Sequence, residues 1–377
     1  MRIVQGKKMQ DTNWEFLSDE ANLNEPLVLV FGNRYTLESD SLYNEIQTMF
    51  PGGHIVFGST AGEILEREVL DQSLSLTAME FEKSTFSVQR ANVNNFTDTV
   101  QDLGIALLDK LPKENLQHIF VVSEGSSVNG SGLIEGMEKE LPKGVTLSGG
   151  LCGDDARFER TLASYNESPK EGEVIAIGLY GDTLEVTCAN YGGWTGFGPK
   201  RTITKSKENV LYELDGLPAL DLYKTYLGEK AKELPQAALL YPLSVKTPNS
   251  KESIVRTILN INEEENTMIL AGDVPEGAEV QLMMSTVDDI VQGAQTAAAF
   301  AMRNRKSEPE LGLLISCVGR KLVMDQRTEE EVEEVIEVIG DQAKVAGFYS
   351  YGEMAPFAGA DQCKLHNQTM TLTLISE

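Results

Sequence analysis

The clearest candidates for chemistry in this 377-residue chain lie in the run Ser-Cys-Val-Gly-Arg at 316–320, directly after a stretch of apolar residues. A thiol at the C-terminal end of a buried strand stands where α/β proteins commonly hold their functional groups. To act as a nucleophile, Cys317 would need a base, and His366 is the plausible base in the same part of the chain. The other interpretation is a small buried cysteine, because free cysteine is among the most buried residue types. A cysteine-dependent enzyme using Cys317 therefore remains an alternative, but we favour a protein without enzymatic activity and assign no catalytic residue.

Arg320 is the second candidate, because a guanidinium just past the end of a strand must meet a carboxylate of the protein or of a ligand. Glu353 is the candidate partner within the chain. If a pocket separates the two residues, it suits a zwitterion such as an amino acid, with Arg320 binding the carboxylate and Glu353 the ammonium. Both interpretations stay open, since ion-pair networks and ligand sites use the same groups.

Aromatic residues surround Glu353, and they would form the walls of a pocket for a small molecule if they do not simply pack in a sheet. Polar residues follow at 366–369, just before the predicted last strand, where such side chains often hold a turn. The predicted ligand-binding residues are Arg320, Glu353, Cys317, Tyr349, Tyr351, His366 and Asn367.

Histidine and cysteine are scarce, with three and four residues, and no two cysteines form a CxxC pair. We therefore expect reduced thiols rather than a disulfide framework, and we predict no metal site. The glycine-rich run 192–198 matches neither a dinucleotide fingerprint nor a P-loop, and Pro199 follows it. His366 could ligate a haem iron, which makes a haem-binding gas sensor a second alternative. Otherwise we expect no cofactor.

The elements that would position these residues repeat three times in the order strand, helix, strand, glycine and carboxylate. The first strands are predicted at 27–31, 118–122 and 311–316, and the second strands at 54–57, 145–147 and 344–348. The helices between them are predicted at 38–49, 132–141 and 329–339, and a further helix at 98–111. Within the first two copies, short turns predict antiparallel hairpins that pair 74–81 with 85–93 and 173–180 with 183–191.

This order predicts an α/β fold with mixed β-sheets and packed helices. We expect an N-terminal extension at 1–26, an N-terminal domain of two similar halves at 27–217, and a C-terminal α/β domain at 218–377. The C-terminal domain would contain the third copy, a meander of strands at 254–262, 267–271 and 279–285, and a last strand at 370–375.

The charge balance limits the partners. With 32 basic and 58 acidic residues, the formal net charge of −26 repels phosphate backbones and anionic lipids, so we expect no nucleic-acid binding. No stretch approaches the roughly 18 apolar residues of a spanning helix, so we expect no membrane insertion and a cytoplasmic location.

Several motifs in order resemble those of the FIST family, whose name joins F-box and intracellular signal transduction. The longest is NVLYELDGLPALDLY at 209–223, and GWTGFGP at 193–199 precedes it. The SCVGR run at 316–320, GFYSYGE at 347–353 and HNQT at 366–369 continue the agreement. Together they cover most of the chain from about residue 27 onward, which indicates both the N-terminal and the C-terminal FIST domains.

The resemblance implies a sensory module that binds a small ligand, with amino acids as the proposed class, in bacterial signalling. Its output would pass to a separate kinase, cyclase or chemotaxis component, because the chain has no room for such a domain. Some relatives are haem-containing sensors. No agreed catalytic set follows from the family.

Overall fold

The computed structural model describes residues 1–10, 12–17, 22–96, 99–248, 250, 252–357 and 362–377. The strands in chain order are β1 (Arg2–Met9), β2 (Glu15–Phe16), β3 (Leu27–Gly32), β4 (His54–Ser59), β5 (Glu63–Leu65), β6 (Glu68–Leu70), β7 (Ser73–Glu80), β8 (Thr85–Asn92), β9 (Leu116–Ser123), β10 (Thr146–Leu151), β11 (Ala163–Tyr165), β12 (Glu173–Tyr180), β13 (Glu185–Tyr191), β14 (Thr195–Lys207), β15 (Val210–Leu214), β16 (Leu217–Pro218), β17 (Leu243–Lys246), β18 (Ile254–Arg256), β19 (Ile258–Asn262), β20 (Thr267–Leu270), β21 (Glu279–Met284), β22 (Leu311–Cys317), β23 (Lys344–Ser350), β24 (Gly352–Pro356), β25 (Cys363–His366) and β26 (Met370–Ser376).

The α-helices of the described residues are α1 (Arg34–Leu37), α2 (Leu42–Met49), α3 (Val100–Lys110), α4 (Gly130–Glu138), α5 (Ala219–Leu227), α6 (Val287–Met302), α7 (Val318–Met324) and α8 (Glu329–Ile339). Short 3-10 turns lie at Val93–Asn95, Gly228–Glu233, Gln236–Leu240 and Asp325–Arg327. α8 has the predicted bounds, and Val332, Val335, Ile336 and Ile339 are buried as its periodicity indicates, while Val338 is half-buried. The predicted start of the helix at 98–111 lies outside the described residues.

Three units share one strand order. In each, two parallel strands are joined through a helix, and a third strand pairs antiparallel with the first. The units are β3–α2–β4 with β7, β9–α4–β10 with β12, and β22–α8–β23 with β26. The predicted strand–helix–strand copies are therefore present.

The predicted hairpins within the first two units are wrong. β7 and β8 both form, but β7 pairs with β3 and β1, whereas β8 pairs with β12 of the second unit. In the same way β13 pairs with β26 of the third unit, and β1 completes the sheet of the first. A short connection can turn a corner between two sheets as well as close a hairpin, so its length did not decide the pairing.

The exchanged strands join three six-stranded sheets cyclically, and we call this assembly the ring. The sheet orders are β11-β4-β3-β7-β1-β2, β25-β24-β10-β9-β12-β8 and β13-β26-β22-β23-β5-β6. Alternate residues of β3 show its two faces. Leu29 and Phe31 pack in an inner core shared by all three sheets, while Val28 and Val30 pack in an outer core with α2.

Three equivalent backbone hydrogen bonds close the ring where the second strand of each unit ends. They run from Ala61 N to Tyr349 O (2.8 Å), from Gly153 N to Ser59 O (2.9 Å) and from Tyr351 N to Leu151 O (3.1 Å). Each bond links one unit to the next, so the three units obey an approximate three-fold order.

The fourth sheet is a separate module between β13 and α6, which we call the barrel. Its order is β18-β17-β21-β14-β15-β20-β19, with β16 beside β15. The outer strands β18 and β19 are separated in sequence only by Thr257, so the two edges of the sheet meet at that residue. The predicted meander is therefore wrong in part: β20 pairs with β19, but β21 pairs with β17 and β14.

The chain passes from the ring into the barrel and back again at one point. Ser285 Oγ donates to the carbonyl of Gly193 at 2.8 Å, which holds the two ends of the barrel together. Gly193 has φ +79°, and a Cβ there would lie 2.1 Å from Asp289 O, so only glycine fits.

The predicted α/β fold with mixed sheets and packed helices is confirmed. Two of the three ring sheets contain strands from both sides of residue 217. The domain bounds at 1–26, 27–217 and 218–377 stay a prediction. Within the described part of the chain, no helix has the length and apolar character needed to cross a membrane.

Candidate ligand site

Arg320 is buried in contacts made by the protein itself. Its Nε and Nη2 donate to Oε2 of Glu331 at 2.9 and 2.6 Å, and neither side chain has any exposed surface. Nη1 donates to Gly192 O at 2.5 Å, and Nη2 also donates to Ile290 O at 2.9 Å. An anion from solvent would have to displace Glu331. The expectation that Arg320 awaits a ligand is not supported by these contacts.

Tyr349 also belongs to the hydrogen-bond network around Glu331. The Tyr349 hydroxyl donates to Glu331 Oε1 at 2.7 Å, and Ser316 Oγ donates to the same atom at 2.8 Å. Burial, followed by the charge of Glu331, raises the pKa of Tyr349 well above its usual value. Tyr349 thus ties β23 to α8 rather than lining a pocket.

Glu353 is held by hydroxyl groups and not by Arg320. It accepts from Ser350 Oγ at 2.7 Å and from Thr369 N and Oγ1 at 3.1 and 2.9 Å. Its counterpart in the first unit, Glu63, accepts from Thr60 and Ser73. Burial raises the pKa of each carboxyl group to about 8. Both positions belong to the repeated architecture, and neither offers an exposed carboxylate to an ammonium group.

Cys317 and His366 do not form a nucleophile and base. Cys317 is buried, and burial followed by the charge of Glu353 raises its pKa. His366 Nε2 donates to Ala355 O at 3.0 Å, and burial lowers the pKa of His366 to about 4. The described side chains include no hydrogen bond between Cys317 and His366.

These contacts around His366 do not fit a haem iron. Nε2 is already bonded, and the ring packs edge-on against Phe357 with 4.8 Å between centroids. Among the described residues, no group of three or more His, Cys, Asp or Glu side chains is arranged to hold a metal ion.

We expect Cys317 to react with a thiol reagent in native protein at least about 100-fold more slowly than in urea-unfolded protein. The thiolate is the reactive form, and burial suppresses both its formation and its access. Mass-spectrometric labelling against pH measures the rate, with Cys317→Ser identifying the peptide. Rapid native labelling near pH 7 would show an activated thiol and contradict this account.

Tyr351 and Asn367 lie nearer to open space. Tyr351 stacks on Phe158 with 4.4 Å between ring centroids and lines a cavity of about 420 Å³. Asn367 Nδ2 approaches Tyr351 O at 3.5 Å, and Asn367 Oδ1 is buried without a partner among the described residues. Of the seven predicted residues, Tyr351 is the one that lines a described cavity.

A larger candidate site was missed by sequence reasoning. It is a cavity of about 530 Å³ between α4 and β25 of the ring and β17 and β18 of the barrel. We call it the Arg256 cavity. Its polar and charged lining includes Ser131, Glu138, Lys139, Arg256, Asp273 and Lys364.

Arg256 differs from Arg320 because no acidic partner lies beside it among the described residues. It is 5% exposed, and no carboxylate of the described residues lies within ion-pair distance. Nη1 donates to Leu365 O at 2.8 Å and Nε to Asp273 O at 3.3 Å, which leaves Nη2 without a described partner. Burial, opposed by the charge of Asp273, lowers the pKa of Arg256 to about 10, so it remains charged near neutral pH.

The cavity carries charges of both signs and an unused hydroxyl. Lys139 and Lys364 stand with Arg256, while Glu138 and Asp273 supply carboxylates. Ser131 Oγ is buried and has no hydrogen-bond partner among the described residues. Burial raises the pKa of Glu138, against a hydrogen bond from the backbone of Cys363. Such a set can bind an anionic group and an ammonium group at once.

The sequence held one signal for this site. Arg256 interrupts an apolar run of strand residues, Ile254, Val255, Thr257 and Ile258. A charged side chain in such a strand needs a partner or an opening, and this argument applied to Arg256 as well as to Arg320.

The architecture defines the class of protein, an α/β ring of three strand–helix–strand units with an inserted β-barrel. Residues 26–217 match the FIST N domain, and residues 219–356 match the FIST C domain. The chain belongs to the FIST family, whose domains are associated with sensing in signal transduction.

One relative is an uncharacterised protein of Methanocaldococcus jannaschii. It is 23% identical over 384 residues, an alignment that spans 90% of this chain and 72% of the relative. Among solved structures, the cyanuric acid hydrolase from A. caulinodans is 12% identical and aligns over 78% of this chain and 99% of its own, with a TM-score of 0.17. That score is too low to support an argument from its fold.

Proposed function

We propose that this FIST-family protein is a cytoplasmic sensory module that binds a small polar metabolite in the Arg256 cavity, with amino acids as the favoured class. The observation that carries the proposal is the buried Arg256 guanidinium, which faces a cavity of about 530 Å³ and has no acidic partner among the described residues. This volume falls in the roughly 300–1,000 Å³ range of small-molecule pockets.

The ligand carboxylate would bind Arg256 Nη2, with Lys139 and Lys364 adding positive charge. The ligand ammonium would lie near Glu138 or Asp273, and Ser131 Oγ supplies a further polar contact. A carboxylate at Arg256 gains strength from the low dielectric of a site that is already desolvated. In this proposal Arg320 takes no part in binding, because its donors already bond to Glu331, Gly192 and Ile290.

A signal can arise because the cavity lies between the ring and the barrel. Arg256 of the barrel holds Leu365 O of the ring, so an anion at Arg256 competes for the group that joins them. The ligand shifts the arrangement only by its difference in affinity for the two states. The output would pass to a separate signalling protein such as a kinase, a cyclase or a chemotaxis component.

Isothermal titration of the twenty amino acids tests the proposal. We expect at least one to bind, and Arg256→Met to weaken that binding at least about 30-fold, because the change removes a desolvated charge-assisted contact worth roughly 2 kcal/mol or more. Arg201→Met is the matched control, since Arg201 lies on the barrel and pairs with Asp215 and Tyr226 away from the cavity. Equal affinity in wild type and Arg256→Met would refute the site, and absence of binding across the panel would refute the ligand class.

A further inference from the structure

A second cavity, of about 420 Å³, lies beside the Arg256 cavity in the same cleft between the ring and the barrel. On the ring side it is lined by the loop that leads from β9 into α4, together with Tyr351 and Glu159. On the barrel side it is lined by the turn between β14 and β15, which contains Glu208 and Asn209, and by the end of β20. The proposed amino-acid site does not include this cavity.

The wall between the two cavities is thin. Gly130 lines the second cavity, and its neighbour Ser131 lines the first. In the same way, Gly272 lines the second cavity and Asp273 lines the first. The guanidinium of Arg256 lies directly against Gly272, where a Cβ would be 2.9 Å from Arg256 Cζ. Arg256 therefore lines the first cavity and lies against a residue that lines the second.

The bonds that hold this wall are long. Arg256 Nε reaches Asp273 O at 3.3 Å, and Asn129 Nδ2 reaches Asp273 Oδ1 at 3.4 Å. Both distances lie beyond the 2.7–3.2 Å of ordinary N–H···O hydrogen bonds. A ligand group that offers Arg256 a shorter, charged acceptor readily replaces its contact with Asp273 O.

The two cavities differ in charge, because the first has acidic residues, Glu135, Glu138 and Asp273, as well as basic ones. Arg256, Lys139 and Lys364 line the first, whereas the described lining of the second has Glu159 and Glu208 and no basic residue. Glu208 takes part in no ion pair among the described residues, so its carboxylate is available to a cation.

We propose that the two cavities are adjoining subsites for one extended, bipolar ligand, a short peptide with free termini. Its C-terminal carboxylate binds Arg256, and its N-terminal ammonium binds Glu208. Glu159 already pairs with Arg34 at 3.1 Å and adds only negative charge nearby. A chain of two to four residues extends about 7–14 Å, at roughly 3.3–3.6 Å per residue, and this is the reach that the proposal requires between the two ends of the ligand. This inference rests on the proposed function, and it narrows the ligand from an amino acid to a peptide.

Thermal unfolding of the full chain with three probes tests the inference. The probes are a mixture of the twenty free amino acids, a tripeptide mixture of the same composition, and the same tripeptides with acetylated N-termini. A ligand that binds only the folded state raises the unfolding midpoint according to its affinity and concentration. We expect the free tripeptides to raise it more than the amino acids do, and acetylation to remove most of the gain.

Two variants locate the two ends. Glu208→Gln is expected to reduce the shift given by free tripeptides while leaving any shift from amino acids unchanged, and Arg256→Met to abolish both. Glu263→Gln is the matched control, because Glu263 is an exposed acid of the barrel that pairs with Lys224 outside both cavities.

The outcomes separate this inference from the proposed function. If amino acids act as strongly as tripeptides and depend on Arg256, the single-cavity function stands and the peptide inference is wrong. If tripeptides act equally with blocked N-termini, or equally in Glu208→Gln, the second subsite is wrong. If no probe raises the midpoint, the peptide inference is wrong, and the amino-acid titration alone decides the function.

Discussion

Replacement of Arg320 by methionine is expected to lower the free energy of unfolding by about 3–5 kcal/mol. Removal of one partner of a buried ion pair leaves the other charge uncompensated, and Glu331 has no exposed surface through which to recover hydration. The carbonyl groups of Gly192 and Ile290 lose their donors as well. Urea unfolding followed by circular dichroism measures the loss.

Arg256→Met is the matched control, since it removes the other buried arginine that faces the ring–barrel junction. A pKa lowered from 12.5 to about 10 means that the charged form of Arg256 costs on the order of 3 kcal/mol in the folded protein. Its removal relieves that cost but leaves Leu365 O unpaired, which costs about 1–3 kcal/mol, so we expect a net change within about 1 kcal/mol. Equal destabilisation by the two substitutions would contradict the contrast between a paired arginine and an available one.

Stability is expected to fall as the pH rises from 6 to 9, and the buried carboxyl groups of Glu63 and Glu353 are the cause. The pKa of each is raised from 4.5 to about 8 in the folded protein, so the neutral form is favoured there. Their contribution to stability is complete below the unfolded pKa and is lost as the pH rises towards 8. At about 1.4 kcal/mol per unit of pKa, the upper bound for each group is roughly 5 kcal/mol over the whole interval from 4.5 to about 8, of which about 3 kcal/mol is lost above pH 6.

The double variant Glu63→Gln and Glu353→Gln isolates this effect, because glutamine resembles the protonated carboxyl group and cannot ionise. Denaturant unfolding at pH 6 and pH 9 should show a large loss of stability in wild type and a clearly smaller loss in the variant. Groups that titrate elsewhere, such as His118, act equally in both proteins and cancel. Parallel pH curves for the two proteins would show that these carboxyl groups are ionised in the folded state.

Local patterns predicted the elements of the ring well. The helix at Glu329–Ile339 and the strands on either side of it have the predicted positions, because hydrophobic periodicity and glycine punctuation act over a few residues. The pairing of β8 and β13 with neighbouring units was missed. That choice depends on which sheet edge is open, and contacts between distant parts of the chain decide it.

The partner of Arg320 could not be predicted from the sequence, for a similar reason. Glu331 belongs to an acidic run whose pattern predicts a solvated helix face. In the structure it lies on the buried face with Val332 and Val335 and forms an ion pair with Arg320. One glutamate among several cannot be singled out without the packing of the helix. Arg256 looked like an ordinary strand residue, because only the docking of the barrel on the ring creates the cavity beside it.

The joined ends of the barrel have an evolutionary meaning. In the first unit a few residues connect β8 to α3, whereas in the second the whole barrel occupies the same place between β13 and α6, with Ser285 and Gly193 in contact. A segment whose ends meet can be exchanged, enlarged or reshaped while the strand pairing around it stays intact. Since the barrel contributes one wall of the Arg256 cavity, descendants of such a chain can change what they recognise by altering an insert, without rebuilding their host.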